Sequence, residues 1–229
     1  MARTYVIGDI HGAYRALRQC LERSSFDFQN DSLICLGDVC DGWPETKESI
    51  DELLKIRNLV YVLGNHDVWA MQWMKTSNAE NLWVKQGGAA TMESYRDGVP
   101  ASHLNLFERA LLYHIQENKL FVHAGITPGI DMTRQDLTTL LWDRSLVRKA
   151  WELYQNGDNR KLTDFEEVYV GHTPVVNPGP VQACEIWMMD TAAGWSGVLS
   201  MMNIDTKEVF TSEKVPSLYP GIPGRMRSH

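Results

Sequence analysis

Five short apolar runs in this sequence each end in a turn that carries aspartate, asparagine or histidine beside glycine. In an open α/β sheet, ligands bind at the carboxyl ends of the strands, so these turns are expected to meet in one crevice. Glycine lets the backbone turn sharply and lets a ligand approach closely. Any one motif is typical of an ordinary loop, but five in succession predict a functional site. The turns are Gly-Asp-Ile-His-Gly (8–12), Gly-Asp-Val-Cys-Asp (37–41), Gly-Asn-His-Asp (64–67), His-Ala-Gly (123–125) and Gly-His-Thr-Pro (171–174).

The distribution of apolar residues predicts an α/β fold, a two-sheet β-sandwich with mixed sheets flanked by helices. Helices are expected after Gly12, after Pro44, over 68–75 and as one long helix over 135–155. The last three predicted strands follow each other closely, which favours an antiparallel or mixed second sheet formed there. The predicted strands are the β-branched or aromatic runs 4–7, 32–36, 59–63, 119–122, 167–170, 185–189, 198–204 and 208–211.

One domain is predicted over residues 1–214, since a chain of 229 residues with 44% hydrophobic content can bury a full core. The segment 215–229 is rich in Pro and Gly and ends in Arg225 and Arg227, so we expect a loosely held tail. No stretch approaches the roughly 18–20 apolar residues that cross a bilayer. The first residues turn polar too soon for a signal peptide.

Charge and cysteine content narrow the function classes. The net charge of −7 weighs against a nucleic-acid partner, which would need clustered Lys and Arg, and no membrane partner is expected. The four cysteines have no Cys-x-x-Cys spacing, which argues against a structural zinc site or a disulfide framework and favours the cytoplasm. The sequence does not determine the oligomeric state.

The residue types in the five turns predict a metal centre. They supply carboxylate, amide and imidazole ligands without a thiolate, a mixture that suits manganese, iron or zinc. Six ligands exceed what one ion with an open position requires, but they suit two ions if one carboxylate bridges. Two divalent ions, two carboxylates and a hydroxide leave a charge of about +1, which attracts phosphate. The candidate ligands are Asp9, His11, Asp38, Asn65, His123 and His172, with Asp38 as the bridge because it lies between the two sets in sequence order.

The ordered motifs resemble the signature of the calcineurin-like metallophosphoesterases. More closely, they are similar to the phosphoprotein phosphatase group, which includes small bacterial and lambda-phage serine/threonine phosphatases. The resemblance spans residues 8–174, with a further likeness at Met-Asp-Thr-Ala (189–192). It implies that Asp9 and His11 hold one ion, that Asp38 bridges, and that the second ion is held by Asn65, His123 and His172.

The same resemblance implies three catalytic roles. His66 matches the general acid that protonates the leaving oxygen, and Asp41 matches the carboxylate that orients it. A carboxylate partner also favours the imidazolium on general grounds. Arg144, in Leu-Trp-Asp-Arg, resembles the arginine that grips the substrate phosphate.

The function implied is hydrolysis of phosphomonoesters, foremost phosphoserine and phosphothreonine in proteins, by a hydroxide that bridges two divalent ions. Manganese is the expected metal, with iron or zinc open. A symmetrical dinucleoside polyphosphate hydrolase, acting on diadenosine tetraphosphate, is the alternative, because segments 63–67, 123–128 and 190–195 are similar to that family. A phosphodiesterase and a non-catalytic binding module on the same fold stay open.

The second motif departs from the family pattern. Phosphoprotein phosphatases usually carry Asp-Arg-Gly there, with the arginine on the substrate phosphate, whereas this chain has Gly42 followed by Trp43. Guanidinium is hard to replace as a bidentate phosphate ligand. Trp43 either stacks on the substrate or packs in the core. The third motif is preceded by Leu63 instead of arginine and ends in Asp67 instead of glutamate.

Overall fold

The computed structural model describes residues 2–225. Within them, ten strands alternate with helices of varied length. The strands are β1 (Thr4–Ile7), β2 (Ser32–Cys35), β3 (Asn58–Tyr61), β4 (Tyr113–Gln116), β5 (Lys119–Val122), β6 (Glu167–Val170), β7 (Val181–Ala183), β8 (Ile186–Met188), β9 (Ser200–Asn203) and β10 (Val209–Thr211). The helices are α1 (Tyr14–Arg23), α2 (Thr46–Leu53), α3 (Asn65–Thr76), α4 (Asn81–Trp83), α5 (Ala89–Ser94), α6 (Ala101–Glu108), α7 (Leu137–Trp142), α8 (Ser145–Gln155) and α9 (Val215–Leu218).

The strands form two mixed sheets of five strands each. The first has the order β10-β9-β1-β2-β3, in which β1, β2 and β3 are parallel. The second has the order β4-β5-β6-β8-β7, in which β5, β6 and β8 are parallel. The predicted fold, a two-sheet α/β sandwich flanked by helices, is confirmed. Its parallel strands point their carboxyl ends in a common direction, as the convergence of the motifs requires.

Alternating side chains explain why the sheets stack. In β1, Val6 faces the other sheet, while Tyr5 and Ile7 pack with the helices on the outer side. In the second sheet, Phe121 and Tyr169 face inwards and stack at 4.7 Å between ring centres. Successive residues of a strand point to opposite faces, so strands buried on both sides read as continuous apolar runs.

The predicted long helix over 135–155 is wrong, because the chain breaks between α7 and α8. Asp143 adopts an extended conformation, and its carboxylate accepts hydrogen bonds from the backbone N–H and the hydroxyl of Ser145 at 3.1 and 2.7 Å. Aspartate competes in this way with the helical hydrogen bonds and begins a new helix. The break places Arg144 at the start of α8.

The expectation that the last three strands form the second sheet is also wrong. Of these three strands, only β8 lies in the second sheet. Strand β9 pairs with β1 in the first sheet, and β10 pairs with β9. Strands β4 and β7 and the helical segment 81–108 were not predicted. No helix within residues 2–225 has the length and apolar character needed to cross a bilayer.

The described part of the predicted tail, residues 215–225, contacts the domain. Val215 and Tyr219 are buried, and the Tyr219 ring stacks on Trp43 at 5.1 Å. Trp43 is itself buried, so of its two expected roles the structure shows core packing. The loose attachment of the tail stays a prediction, and Arg227 lies outside the described residues.

Candidate active site

The five sequence motifs meet at one end of the two sheets. Asp9 and His11 follow β1, Asp38 and Asp41 follow β2, Asn65 and His66 open α3 after β3, His123 follows β5, and His172 follows β6. All eight side chains are buried. Several line a partly open pocket of about 170 Å³.

Two groups of ligand atoms share Asp38. One contains Asp9, His11 and Asp38, and the other contains Asp38, His123 and His172, each with its ligand atoms within 4.8 Å of one another. Asn65 joins the second group, because its Oδ1 lies 2.9 Å from Nε2 of His123. The structure thus brings all six predicted ligands together, and Asp38 is common to both groups.

Backbone carbonyls orient the imidazole rings. His11 donates from Nδ1 to the carbonyl of Cys40, and His123 donates from Nδ1 to the carbonyl of Leu36, both at 2.8 Å. In each ring Nε2 then faces the cluster, the usual arrangement when the outer nitrogen of a metal-binding histidine is held by an acceptor. His172 is reversed, since its Nε2 donates to the carbonyl of Trp142 at 3.0 Å.

The backbone is strained at these turns. His11, Asp38, Asp41 and His172 have φ values of 52°, 50°, 74° and 60°, in the left-handed region that non-glycine residues rarely adopt. Such conformations cost roughly 1 kcal/mol or more each and tend to persist at functional sites. Four strained residues among the predicted ligands and their neighbours indicate that site geometry is maintained at the expense of stability.

The charges of the cluster fit a pair of cations. Burial, reinforced by Asp190, raises the pKa of Asp9 well above its usual range. Burial also opposes ionisation of Asp38, but the charge of His123 and its hydrogen bond outweigh it and hold the pKa of Asp38 well below the usual range. Conversely, Asp38 overcomes the effect of burial on His123 and raises its pKa to about 10. Carboxylates crowded in a dry site without thiolates match oxygen- and nitrogen-binding divalent ions.

His66 and Asp41 form a buried pair beside the ligand cluster. Nδ1 of His66 lies 2.6 Å from Oδ2 of Asp41. Asp41 also accepts hydrogen bonds from Nε1 of Trp83 at 2.6 Å and from the hydroxyl of Thr91 at 2.7 Å. Burial raises the pKa of Asp41 to about 8 and lowers the pKa of His66 to about 3. At neutral pH the pair therefore shares one proton and carries no net charge.

Asp67 ties the second motif to the third. Its carboxylate accepts hydrogen bonds from the backbone N–H groups of Asp38, Val39 and Gly64 and from the hydroxyl of Tyr61, at 2.8 to 3.0 Å. The Asp67 carboxylate thus holds the loops of the two motifs together. Burial raises its pKa to about 6.

Arg144 reaches the same pocket from the break between α7 and α8. Its Nη2 donates to the carbonyl of His172 at 3.3 Å, and its side chain lines the pocket beside Trp142. Burial lowers the pKa of the guanidinium, which stays charged near neutral pH.

Two charged residues of the pocket, Asp190 and Arg225, were not predicted as site residues. Asp190 follows β8, and burial raises its pKa to about 6. It could have been found, since it is one more aspartate directly after a strand. Arg225 lies near the C-terminal end of the sequence, and its Nη1 is 3.1 Å from Nε2 of His11, near the N-terminal end. No motif in the sequence marked it.

A two-sheet sandwich with candidate metal ligands at its strand ends, one carboxylate being common to two ligand groups, is the arrangement expected of a metal-dependent hydrolase. The model of the calcineurin-like phosphoesterase family matches residues 2–193, and the chain belongs to that family. Enzymes of this family are metal-dependent hydrolases of phosphoric esters that use two divalent ions, and the chain is an enzyme of this class.

Three similar proteins illustrate the range of the family. A symmetrical bis(5'-nucleosyl)-tetraphosphatase of Pseudomonas fluorescens is 34% identical, over 92% of this chain and 94% of the relative. Serine/threonine-protein phosphatase 1 of Salmonella typhimurium is 25% identical, over 87% of this chain and 91% of the relative. A crystal structure described as that of a "putative diadenosine tetraphosphatase" has a TM-score of 0.67 at 19% identity, covering 92% of both chains, which shows the fold. Against some other symmetrical tetraphosphatases the match covers only 46% of the relative.

Proposed function

We propose that this protein hydrolyses phosphoanhydride bonds in dinucleoside polyphosphates. The observation that carries the proposal is a pair of tryptophans in the pocket, Trp142 and Trp195, beside different ligand groups. The Trp142 ring lies 6.2 Å from His172, and Trp195 lies 5.3 Å from the guanidinium of Arg225, which in turn contacts His11. Aromatic faces on both sides of a phosphate site suit a substrate with a base at each end, because every base can stack.

The six ligands are proposed to hold two manganese ions, with iron or zinc as alternatives. Asp9 and His11 would hold the first ion, Asp38 would bridge, and Asn65, His123 and His172 would hold the second. Divalent ions in such a site lower the pKa of coordinated water and polarise phosphoryl oxygens. The carbonyl-anchored rings fix the ligand geometry before the ions arrive, which limits reorganisation during binding.

His66 is proposed to protonate the leaving oxygen from Nε2, since its Nδ1 faces Asp41. Asp41 holds the ring in this orientation and keeps the shared proton near neutral pH. Arg144 is proposed to bind a phosphoryl oxygen of the substrate from the His172 side of the pocket. A guanidinium offers a fork of donors that matches phosphate oxygens.

Hydrolysis of phosphoserine or phosphothreonine is the second candidate. It is favoured by the match to the Salmonella protein phosphatase over nearly its whole length. A phosphorylated protein side chain carries no nucleobase, so it would leave both tryptophans of the pocket without a base to stack on. A small phosphate compound is therefore the substrate we favour.

The cytoplasm is the proposed location, because Cys20, Cys35, Cys40 and Cys184 are free thiols, as in a reducing compartment. The pocket requires no nucleic-acid or membrane partner for the proposed reaction. The only partner that the proposal needs is the substrate.

The test compares kcat/KM of the manganese-loaded protein on diadenosine tetraphosphate and on a phosphoserine peptide. We expect a preference for the dinucleotide. Trp142→Ala and Trp195→Ala should each lower kcat/KM on the dinucleotide roughly tenfold, as loss of a base stack does, with little effect on p-nitrophenyl phosphate. Trp151→Ala, which removes a tryptophan outside the pocket that stacks on Tyr154, is the control. A preference for the peptide, unchanged in both pocket variants, would contradict the proposal.

A further inference from the structure

We propose that Arg225, near the end of the chain, supplies the phosphate-binding guanidinium that the second motif lacks at Gly42. This proposal rests on one part of the proposed function, namely that the pocket binds the phosphate of the substrate. It extends that function by adding a substrate-binding residue that lies outside the matched family domain of residues 2–193.

The side chain of Arg225 lies directly over Gly42. A Cβ atom added to Gly42 would come within 2.9 Å of Cγ of Arg225 and 3.3 Å of the carbonyl oxygen of His11. The φ of Gly42 is +126°, a conformation that residues with a side chain rarely adopt. Gly42 therefore cannot be exchanged for arginine without displacing Arg225, and the space beside the motif is filled from the tail.

Gly42 and Trp43, the two residues that depart from the family pattern, both contact the segment that carries Arg225. Trp43 stacks on Tyr219 and donates from Nε1 to the carbonyl of Ala193 at 2.8 Å. The chain then passes so close to Trp43 that a Cβ at Gly224 would lie 2.6 Å from the indole ring. The backbone N–H of Arg225 donates to the carbonyl of Gly194 at 2.9 Å. Trp43 thus anchors the segment, and Gly42 leaves room for its arginine.

The guanidinium is aimed at the ligand cluster. Its Nε donates to the carbonyl of Gln86 at 3.2 Å and its Nη2 to the side-chain oxygen of Gln86 at 3.3 Å, while Nη1 reaches Nε2 of His11. That nitrogen is the one His11 would give to a metal ion. Nη1 would then need another acceptor, and a phosphoryl oxygen in the same pocket provides one.

Arg225 and Arg144 approach the pocket from different sides. Arg225 contacts His11 of the first ligand group, whereas Arg144 contacts the carbonyl of His172 in the second. Two guanidinium groups facing one phosphate site can bind separate oxygens of one phosphoryl group or of neighbouring ones. The pocket thereby regains the second arginine that Gly42 removes.

The test measures the binding of inorganic phosphate to the manganese-loaded protein by titration calorimetry, beside metal content by elemental analysis. Arg225→Gln should weaken phosphate binding roughly 10- to 100-fold, the range expected when a charge-assisted hydrogen bond is lost, with two ions still bound. Arg225→Lys should restore only part of the affinity, because an ammonium lacks the fork. Lys214→Gln, which removes one exposed positive charge from the same segment, should leave phosphate affinity unchanged.

Two results would overturn the proposal. Unchanged phosphate affinity in Arg225→Gln would show that the guanidinium does not bind substrate. Tighter metal binding with higher kcat/KM would show that Arg225 competes with the metal at His11 and inhibits the enzyme. Because phosphate is the probe, a wild-type protein that ignores diadenosine tetraphosphate would refute the proposed substrate and leave this test intact.

Discussion

At the scale of single residues, the proton shared by His66 and Asp41 sets the expected pH dependence. The pair keeps this proton up to the pKa of Asp41, about 8, and loses it above that value. Catalysis by a general acid needs the protonated pair, so the rate on a substrate with a poor leaving group should fall as pH rises through about 8. His66→Asn should lower kcat roughly 10²- to 10⁴-fold and remove this alkaline limb, with the metal still bound. A pH–rate profile of both proteins measures the effect.

The control for this prediction is the leaving group. p-Nitrophenolate leaves readily without a proton, so His66→Asn should slow hydrolysis of p-nitrophenyl phosphate much less than hydrolysis of the phosphoserine peptide, whose alkoxide leaving group needs one. Equal losses on both substrates would mean that His66 positions substrate or metal. If His66→Asn hydrolyses both substrates at the wild-type rate, His66 is not the general acid.

Some residues of the site can be predicted from the sequence and others cannot. The six proposed ligands, His66, Asp41 and Arg144 were all predicted from motifs, and the structure brings them together at one end of the sheets. Arg225 could not be predicted, because its place depends on the close packing of the tail over Gly42. Trp83 and Thr91 were missed for a similar reason, since their hydrogen bonds to Asp41 span more than 40 residues. Sequence motifs therefore identify the residues at the centre of the site, whereas the residues that contact them from distant parts of the chain depend on tertiary packing.

At the scale of elements, the helical segment α4–α5 supports the buried pair of His66 and Asp41, because Trp83 and Thr91 donate hydrogen bonds to Asp41. A π-helical turn at Val84–Gly88 joins the two helices, and Gly88 lies against Trp83. A Cβ at Gly88 would come within 2.5 Å of the Trp83 ring. Gly88→Ala should therefore displace the indole from Asp41, lower kcat several-fold and cost roughly 1–3 kcal/mol of stability, as overpacking does. Denaturant unfolding and steady-state kinetics measure the two effects.

Gly179→Ala is the matched control, because its added methyl group would meet only Val209, at 3.8 Å. It should leave kcat unchanged. If Gly88→Ala loses stability but keeps the wild-type pH–rate profile, the hydrogen bond from Trp83 does not tune Asp41.

The elements that sequence analysis predicted correctly are those with a strong local signal. Strands β1, β5 and β6 have the predicted bounds because they are apolar runs closed by glycine-containing motifs. Strand β7 has three residues and no such run. The break at Asp143 was missed because the apolar spacing of residues 137–154 continues through it, while the hydrogen bonds from Ser145 decide the local conformation.

At the scale of the whole molecule, both sheets must be in place before a metal site exists. Asp9, His11 and Asp38 come from the first sheet, whereas His123 and His172 come from the second. Which sheet β9 joins could not be predicted, because a strand buried on both faces fits either sheet. The site thus lies across the sandwich, and ions that bind there link the two halves of the fold.

Metal binding should consequently stabilise the whole protein. A ligand of the folded state at 100 times its dissociation constant adds about 2.7 kcal/mol, which for a domain of this size raises Tm by roughly 5–10 °C. Asp38 raises the pKa of His123 to about 10, and burial raises the pKa of Asp9, so both groups must lose a proton to solvent before they can bind an ion. The shift should therefore be larger at pH 8 than at pH 6. Asp38→Asn should abolish the metal-induced rise in Tm. Asp31 is a buried carboxylate paired with Arg3 away from the site, so Asp31→Asn should lower the Tm of the metal-free protein and keep the rise. A manganese-induced shift that survives Asp38→Asn in full would place the ions elsewhere.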